Sequence, residues 1–309
     1  MGRVARRDHP EPLCRLVRFD ATDGVALAGL LYEPPRRTRR VAVFVHGTGG
    51  ASVFDSRRTN LLAAEFVSNG FAFFPFNNRG AHLLRRLRKK KRTVGGGMAY
   101  ERIRDCVPDI DGAIRFLRRR GYREIHLIGH STGANKIAVY HRYKHRNPVR
   151  GYVLLAGGDD TGLLYDQLGR RRFFSTLKRA RARRNSEELV PASLSALPMS
   201  WRALYDTINP DGDYNVFPYL EILRGVRLSR GPRFRHLRGI RKPALVVYGD
   251  RDEYCYGNVS RCVGVLAEQI GPKPNFEFAI LENADHGFGR REGDLARLIL
   301  AWLLRGDGR

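Results

Sequence analysis

An α/β fold built on a mostly parallel, doubly wound sheet is predicted by three features of this 309-residue sequence. Short apolar runs alternate with helical patterns toward both ends of the chain. The runs at 41–45 (VAVFV), 71–76 and 244–248 are continuous rather than alternating, as in strands covered on both faces. About eighty residues in the middle break the rhythm, so an inserted subdomain is expected.

Taken in order, 13–19 and 25–32 read as two strands joined by a turn at 20–24, a hairpin opening the sheet. Pro34-Pro35 and four arginines form an exposed connection. The strand 41–45 ends in the glycine-rich loop His46-Gly47-Thr48-Gly49-Gly50. A helix over 60–69 carries Leu61, Leu62, Phe66 and Val67 and stops at Gly70. The strand 71–76 is closed by Asn77-Asn78-Arg79-Gly80; the basic run 85–92 and a flexible glycine stretch at 93–97 follow. Ile103, Val107, Ile110, Ile114 and Leu117 recur at helical spacing, with a kink expected at Pro108 and a stop at Gly121. Strand 125–128, a helix over 134–140 and strand 149–156 come next. The alternation returns with strand 244–248, helix 260–270, strand 276–281 and helix 294–304. The expected organisation is a core in two parts, 1–159 and 239–309, separated by a cap or lid at 160–238.

Composition narrows the function classes. No window of 18 apolar residues occurs, so no membrane span is expected. The charged first 18 residues lack the apolar stretch of a secretory signal, and Arg6 stands where a myristoylation signal places Ser or Thr. Cys14, Cys106, Cys255 and Cys262 have no C-x-x-C spacing and read as reduced thiols of a cytoplasmic protein. Net charge is +25, with 48 Arg and 8 Lys. Such charge raises a nucleic-acid or anionic-membrane partner as one reading. Yet 160–241 carries 16 basic and 8 acidic residues, close to the density of the whole chain. That evenness favours a generally basic, solvated surface, with non-specific polyanion binding at low salt.

The chemistry-bearing feature is Gly129-His130-Ser131-Thr132-Gly133, a G-x-S-x-G between an apolar strand and a helix. With 33 Gly and 11 Ser, the bare pattern arises by chance roughly 0.1 times in such a chain, so its context carries the argument. A serine nucleophile needs a base, an orienting acid and oxyanion donors. His286 is the candidate base, in a loop past the strand 276–281. His9, His141, His145 and His236 read as surface residues, and His46 and His130 as packing around the loop and turn. Asp252 is the candidate acid, with Asp250 and Glu253 as competitors in Gly249-Asp250-Arg251-Asp252-Glu253. The backbone N–H groups of Thr48 and Thr132 are the candidate oxyanion donors. The loop 46–50 lacks the spacing of a phosphate-binding loop, and neither a cofactor nor a metal is expected.

Together, His46-Gly47, Gly129-His130-Ser131-Thr132-Gly133, Gly249-Asp250-Arg251-Asp252 and Asp285-His286-Gly287 resemble the α/β-hydrolase superfamily over roughly residues 20–158 and 240–305. Asn77-Asn78-Arg79-Gly80, the continuation Ala134-Asn135-Lys136 and Gly158-Asp159-Asp160-Thr161 are further similar to a subgroup of fungal siderophore-ester hydrolases and bacterial relatives. The resemblance implies a serine hydrolase with a cap that cleaves a small carboxylic ester through a Ser-His-Asp triad. Asp252 is preferred to Asp250 because such hydrolases place the acid three residues after a strand-ending Gly. Thioesterase, amidase and acyltransferase chemistry stay open, as does a non-catalytic scaffold that binds polyanions. The arginine-rich cap departs from the subgroup, so its substrate is not carried over. Trp201, Tyr205, Tyr214, Phe217 and Tyr219 read equally as a pocket roof or as the insertion's own core. The same holds for the neighbouring Asp206, Asp211 and Asp213.

Overall fold

The computed structural model describes residues 12–306 except 50, 55 and 196. The expectations about the N-terminal stretch, His9 and the Gly50 end of the glycine loop therefore lie outside the described residues.

The first half of the chain forms β1 (Cys14–Asp20), β2 (Ala26–Tyr32), β3 (Arg40–Val45), α1 (Arg57–Ser68) and β4 (Ala72–Asn77). After them come β5 (Arg85–Lys89), β6 (Arg92–Gly96), α2 (Cys106–Arg119), β7 (Glu124–His130), α3 (Thr132–Tyr143) and β8 (Val149–Leu155). Then follow α4 (Asp160–Ala182), α5 (Trp201–Ile208), α6 (Tyr219–Leu223) and α7 (Arg235–Arg238). The chain closes with β9 (Ala244–Gly249), α8 (Val259–Ile270), β10 (Phe276–Leu281) and α9 (Glu292–Gly306). Side-chain caps start several helices: Ser56 for α1, Asp159 for α4, Ser200 for α5 and Asn258 for α8 each accept from a backbone N–H three residues on.

Eight strands form one sheet in the order β1-β2-β4-β3-β7-β8-β9-β10. The hairpin β1–β2 and the β2–β4 pair are antiparallel; from β4 to β10 every pairing is parallel. The parallel strands therefore end at one edge, where open α/β sheets hold ligands. Their burial matches the continuous apolar runs: β4, β9 and the last five residues of β3 are buried throughout.

Two local expectations are corrected. Residues 85–96 are not a basic run followed by a flexible stretch; they pair as the antiparallel hairpin β5–β6. Leu87 and Gly96 are its buried positions, so the inward face carries too little apolar surface to betray a strand. Pro108 does not kink a long helix. It is the third residue of α2, in the first turn, where a missing N–H costs no helical bond. A short 3-10 turn at Ile103–Asp105 precedes it.

Between β8 and β9 the chain packs in two ways. Phe173, Leu177, Ala180, Val190, Met199, Trp201, Ala203, Leu204 and Ile208 make a small core of their own, with Met98 from the segment after the hairpin. Tyr214, Val216, Phe217, Tyr219, Phe234, Leu237 and Ile240 join the main core instead. Trp201 thus belongs to the interior of the insertion, only 2% exposed, with Arg179 and Arg183 stacked on its ring. The neighbouring acids are also occupied structurally. Asp206 accepts from Ile103 N (2.6 Å), and Asp213 bonds Tyr143, His236 and Arg104. His236 and His141, expected at the surface, are buried: His236 on Asp213, His141 between Tyr152 Oη (3.0 Å) and Gly239 O (3.2 Å).

Trp201→Ala should cost about 3–5 kcal/mol in urea unfolding, the usual loss for a large aromatic removed from a core. Proteolysis should then open the 160–208 region first. A variant as stable and protease-resistant as the wild type would exclude this packing role.

Candidate active site

The site begins with the turn at Ser131. After β7 the backbone reverses into α3 through Ser131 at φ 56° and ψ −131°, a conformation that side chains rarely adopt and that costs about 1–3 kcal/mol. The flanking glycines make the reversal sterically feasible. A Cβ on Gly129 would sit 2.2 Å from Gly133 O, and one on Gly133 would sit 2.1 Å from Val45 O. Hence α3 starts pressed against the ends of β7 and β3. The Ser131 N–H is tied to Leu155 O of β8 (2.9 Å).

One loop and one helix start meet the serine. After β3, Gly47 lies so close that an added methyl would stand 2.9 Å from Ser131 Cβ and 3.3 Å from Oγ; Thr48 follows it. Thr132 is the first residue of α3, where a helix leaves its N–H groups without internal partners and its dipole favours negative charge.

His286 and Asp252 are paired. His286 Nδ1 lies 3.1 and 3.0 Å from the two Asp252 oxygens, and the Asp252 side chain is 1% exposed. A proton on Nδ1 donated to the carboxylate leaves Nε2 as an acceptor. Asp250, the competitor, instead lies exposed and accepts from Ala284 N (3.0 Å). Glu253 holds the loop itself by accepting from His286 N (3.1 Å). The Tyr254 ring meets the imidazole edge-on, 4.6 Å between centroids. The His286 ring comes to the turn beside His130, 5.1 Å between centroids. Among the described residues no hydrogen bond joins Ser131 Oγ to His286.

Sequence reasoning missed how these loops are braced. His130 donates from Nε2 to His286 O (2.8 Å), and its Nδ1 accepts from Arg58 Nη2 (3.2 Å). Arg58 also donates to Gly287 O (2.7 Å). Burial, helped by Arg58, holds His130 well below the usual imidazole range, so it stays neutral.

A second brace runs beneath the loop 46–48. His46 donates from Nδ1 to Gly47 O (2.8 Å) and accepts at Nε2 from Asn78 N (3.2 Å). Burial, with Lys136 nearby, pushes its imidazole down to about 3. Asn78 Oδ1 accepts from Gly80 N (3.0 Å) and from Lys136 Nζ (3.2 Å). Lys136, on α3 and fully buried, meets Glu101 at 2.8 Å. Burial pushes the Glu101 carboxyl up against the pull of that ammonium. The helix that starts at the serine is thereby joined to the loop that carries Thr48. Arg79 anchors the same segment through Asp109 and Asp23. The sequence signal was present in Asn77-Asn78-Arg79-Gly80 and Asn135-Lys136, but neither run says which side chains turn inward.

Among the described residues no group of three or more His, Cys, Asp or Glu side chains gathers at metal-binding distance.

The chain belongs to the alpha/beta hydrolase family, whose model matches residues 42–298. No curated protein sequence matches it. Solved structures do. Est1E from Butyrivibrio proteoclasticus superposes at a TM-score of 0.60 with 13% identity, over 95% of this chain and 99% of its own. A soluble variant of monoglyceride lipase from Saccharomyces cerevisiae gives 0.62 and 14%, over 97% and 98%. The Pyrococcus furiosus esterase Pf2001 gives 0.59 and 14%, over 99% and 95%. At such identities these likenesses speak for the fold.

Lys136→Met should destabilise the protein by about 3–5 kcal/mol, because it leaves Glu101 buried without its partner. Adding Glu101→Gln should recover part of that loss. Thermal unfolding of the two single variants and the double variant measures the coupling; strictly additive losses would show that the pair is not energetically linked.

Proposed function

We propose that the protein is a serine hydrolase acting on a carboxylic ester, with Ser131 as nucleophile, His286 as base and Asp252 as orienting acid. The observation that carries this reading is the Asp252–His286 pair, its carboxylate buried, in loops after strands of the same parallel sheet whose β7 leads into a serine in a strained turn. Family membership supports hydrolysis in general. The serine chemistry rests on this geometry.

In this reading Ser131 Oγ attacks the ester carbonyl while its proton passes to His286 Nε2. The carbonyl oxygen becomes an oxyanion, met by the N–H groups of Thr48 and Thr132. Collapse breaks the C–O bond, and the imidazolium gives its proton to the departing alcohol. Water then repeats the sequence on the acyl-enzyme and frees the acid and Ser131. Asp252 keeps the Nδ1–H tautomer and stabilises the imidazolium. Thioesters and amides would follow the same steps with another leaving group. We assign the insertion at 160–238 to substrate access. Three buried, unbridged cysteines, Cys106, Cys255 and Cys262, fit a reducing cytoplasm. No described helix is long and apolar enough to cross a membrane.

Ser131→Ala should lower ester turnover by several orders of magnitude, and a fluorophosphonate probe should label Ser131 in the wild type only. His286→Ala should match it in severity, and Asp252→Asn should cost more than Asp250→Asn. Labelling of a different serine with full activity in Ser131→Ala would falsify the nucleophile assignment.

The +25 charge should give polyanion binding that falls steeply with salt and shows no sequence preference. A fluorescence titration with unrelated oligonucleotides at rising salt tests this; submicromolar affinity for one sequence at physiological salt would contradict it.

A further inference from the structure

β7, β8 and β9 run parallel, so their starts share the sheet edge opposite the one where Ser131 follows β7. β7 has seven residues, which sets the two edges about 20 Å apart. The segments that enter at the far edge are basic, with Arg123 ahead of β7, Arg146 ahead of β8, and Arg241 and Lys242 ahead of β9. Two grooves open there. One, of about 510 Å³, lies between α2 and the turn after α3 and is lined by Arg115, Arg118, Arg119, Arg123, Lys144 and Arg146, with Asp111 as its carboxylate. The other, of about 480 Å³, holds Arg142, Arg235, Arg241 and Lys242 with three histidines and no carboxylate. The grooves share a wall: Lys242 Nζ of the second donates to the backbone O of Asn147 in the first, at 2.6 Å.

Ten Arg or Lys side chains thus stand against one carboxylate, and Lys144 already holds that one, at 2.9 Å. Asp213, which does not line the second groove, meets Arg235 at 3.8 Å but is shared with Arg104 and His236. Among the described residues, Arg115, Arg118, Arg119, Arg142, Arg146 and Arg241 form no ion pair. Arg118, Arg119 and Arg142 have a local reason to be basic, since they sit in the last turns of α2 and α3, where a helix carries partial negative charge. The others do not. They also crowd one another: burial, with Arg150 nearby, holds the Lys242 ammonium below its ordinary range. Positive charge that is even along the sequence is therefore gathered in space, from 115–123, 142–146 and 235–242, onto one face.

The lining decides which polyanion fits. Eight of the ten cations are Arg, whose planar fork takes two oxygens of a phosphate at once. No Phe, Tyr or Trp lines either groove, so the stacking platforms that hold the bases of a single strand are missing. Ile114, the one large aliphatic side chain of the lining, is buried, so the face offers no apolar anchor to a bilayer. We propose that this face binds the sugar-phosphate backbone of a double-stranded nucleic acid, at a site separate from the ester-cleaving centre and without reading bases. Phosphates along a duplex would neutralise cations that now repel one another, each contact releasing counterions from the duplex.

The test titrates a short labelled DNA duplex of mixed sequence against the wild type and two triple variants that lose equal charge. The groove variant carries Arg115→Gln, Arg146→Gln and Arg241→Gln, one from each contributing segment. The control carries Arg170→Gln, Arg171→Gln and Arg172→Gln on α4. All six positions are exposed, so both variants should melt as the wild type does. At about 0.1 M salt the groove variant should lose about tenfold or more in affinity, its slope of log K against log salt should shallow by about 2–3, and the control should stay within about twofold. Equal losses in the two variants would show that net charge alone binds, and would overturn the site. Tighter binding of the single strand than of the duplex, or of phosphatidylserine vesicles than of either, would overturn the assignment to a duplex. Fluorophosphonate labelling should be the same in all three proteins; its loss in the groove variant alone would show that the two sites are not separate. Failure of labelling in every protein would count against the serine reading and leave this face standing.

Discussion

The start of α3 lies so close to the ends of β3 and β7 that no side chain fits between them. Gly129 and Gly133 make that approach, and Ser131 takes its strained conformation because of it. The rest of the site is arranged around this contact. The loop after β3 must pass over the serine, so Gly47 is placed where another residue would collide with Ser131. The strain is held by long-range bonds, not by the turn itself, among them Ser131 N to Leu155 O. A local sequence preference alone could not keep such a conformation populated.

Two buried polar chains stiffen the loops on either side. Arg58 and His130 grip the backbone of His286 and Gly287. Lys136, Glu101, Asn78 and His46 grip the loop carrying Thr48. Both keep imidazoles neutral: His46 and His130 are pressed below their ordinary range by burial and by nearby cations. Neutral rings can donate and accept at once, which is what each is doing. Protonation would turn an acceptor nitrogen into a second donor facing a donor, and the loop would lose its tie.

Much of this was legible in the sequence. The strands of the parallel sheet announced themselves as continuous apolar runs, and the helices by apolar residues at spacings of three and four. Ser131, Asp252 and His286 stood out as candidates because each follows a strand, and the structure brings Asp252 and His286 together. What stayed hidden has one physical cause. A charged residue is assigned to solvent unless its partner is known, and partners here are distant: Lys136 finds Glu101, Arg58 finds residues 130 and 287, and His236 finds Asp213. The hairpin β5–β6 was hidden for a related reason, since arginines and lysines fill its outward face. The role of the aromatics in the insertion could not be read either. Trp201 and Tyr214 look alike in sequence and belong to different cores.

That division of cores follows from the route of the chain. β8 and β9 are neighbours and run parallel, so the chain leaving Leu155 must descend the full height of the sheet, about 20 Å, before it can begin Ala244. Residues 214–240, packed into the main core, make the descent. Residues 160–208 are not needed for it and fold around their own interior. The protein therefore separates what recombination can exchange from what it must keep. A different excursion grafted between the first turn of α4 and Asn209 would inherit Ser131, the Asp252–His286 pair and the loop after β3 unchanged. The excursion can drift or be replaced wholesale, while the packing below it is inherited as a fixed part.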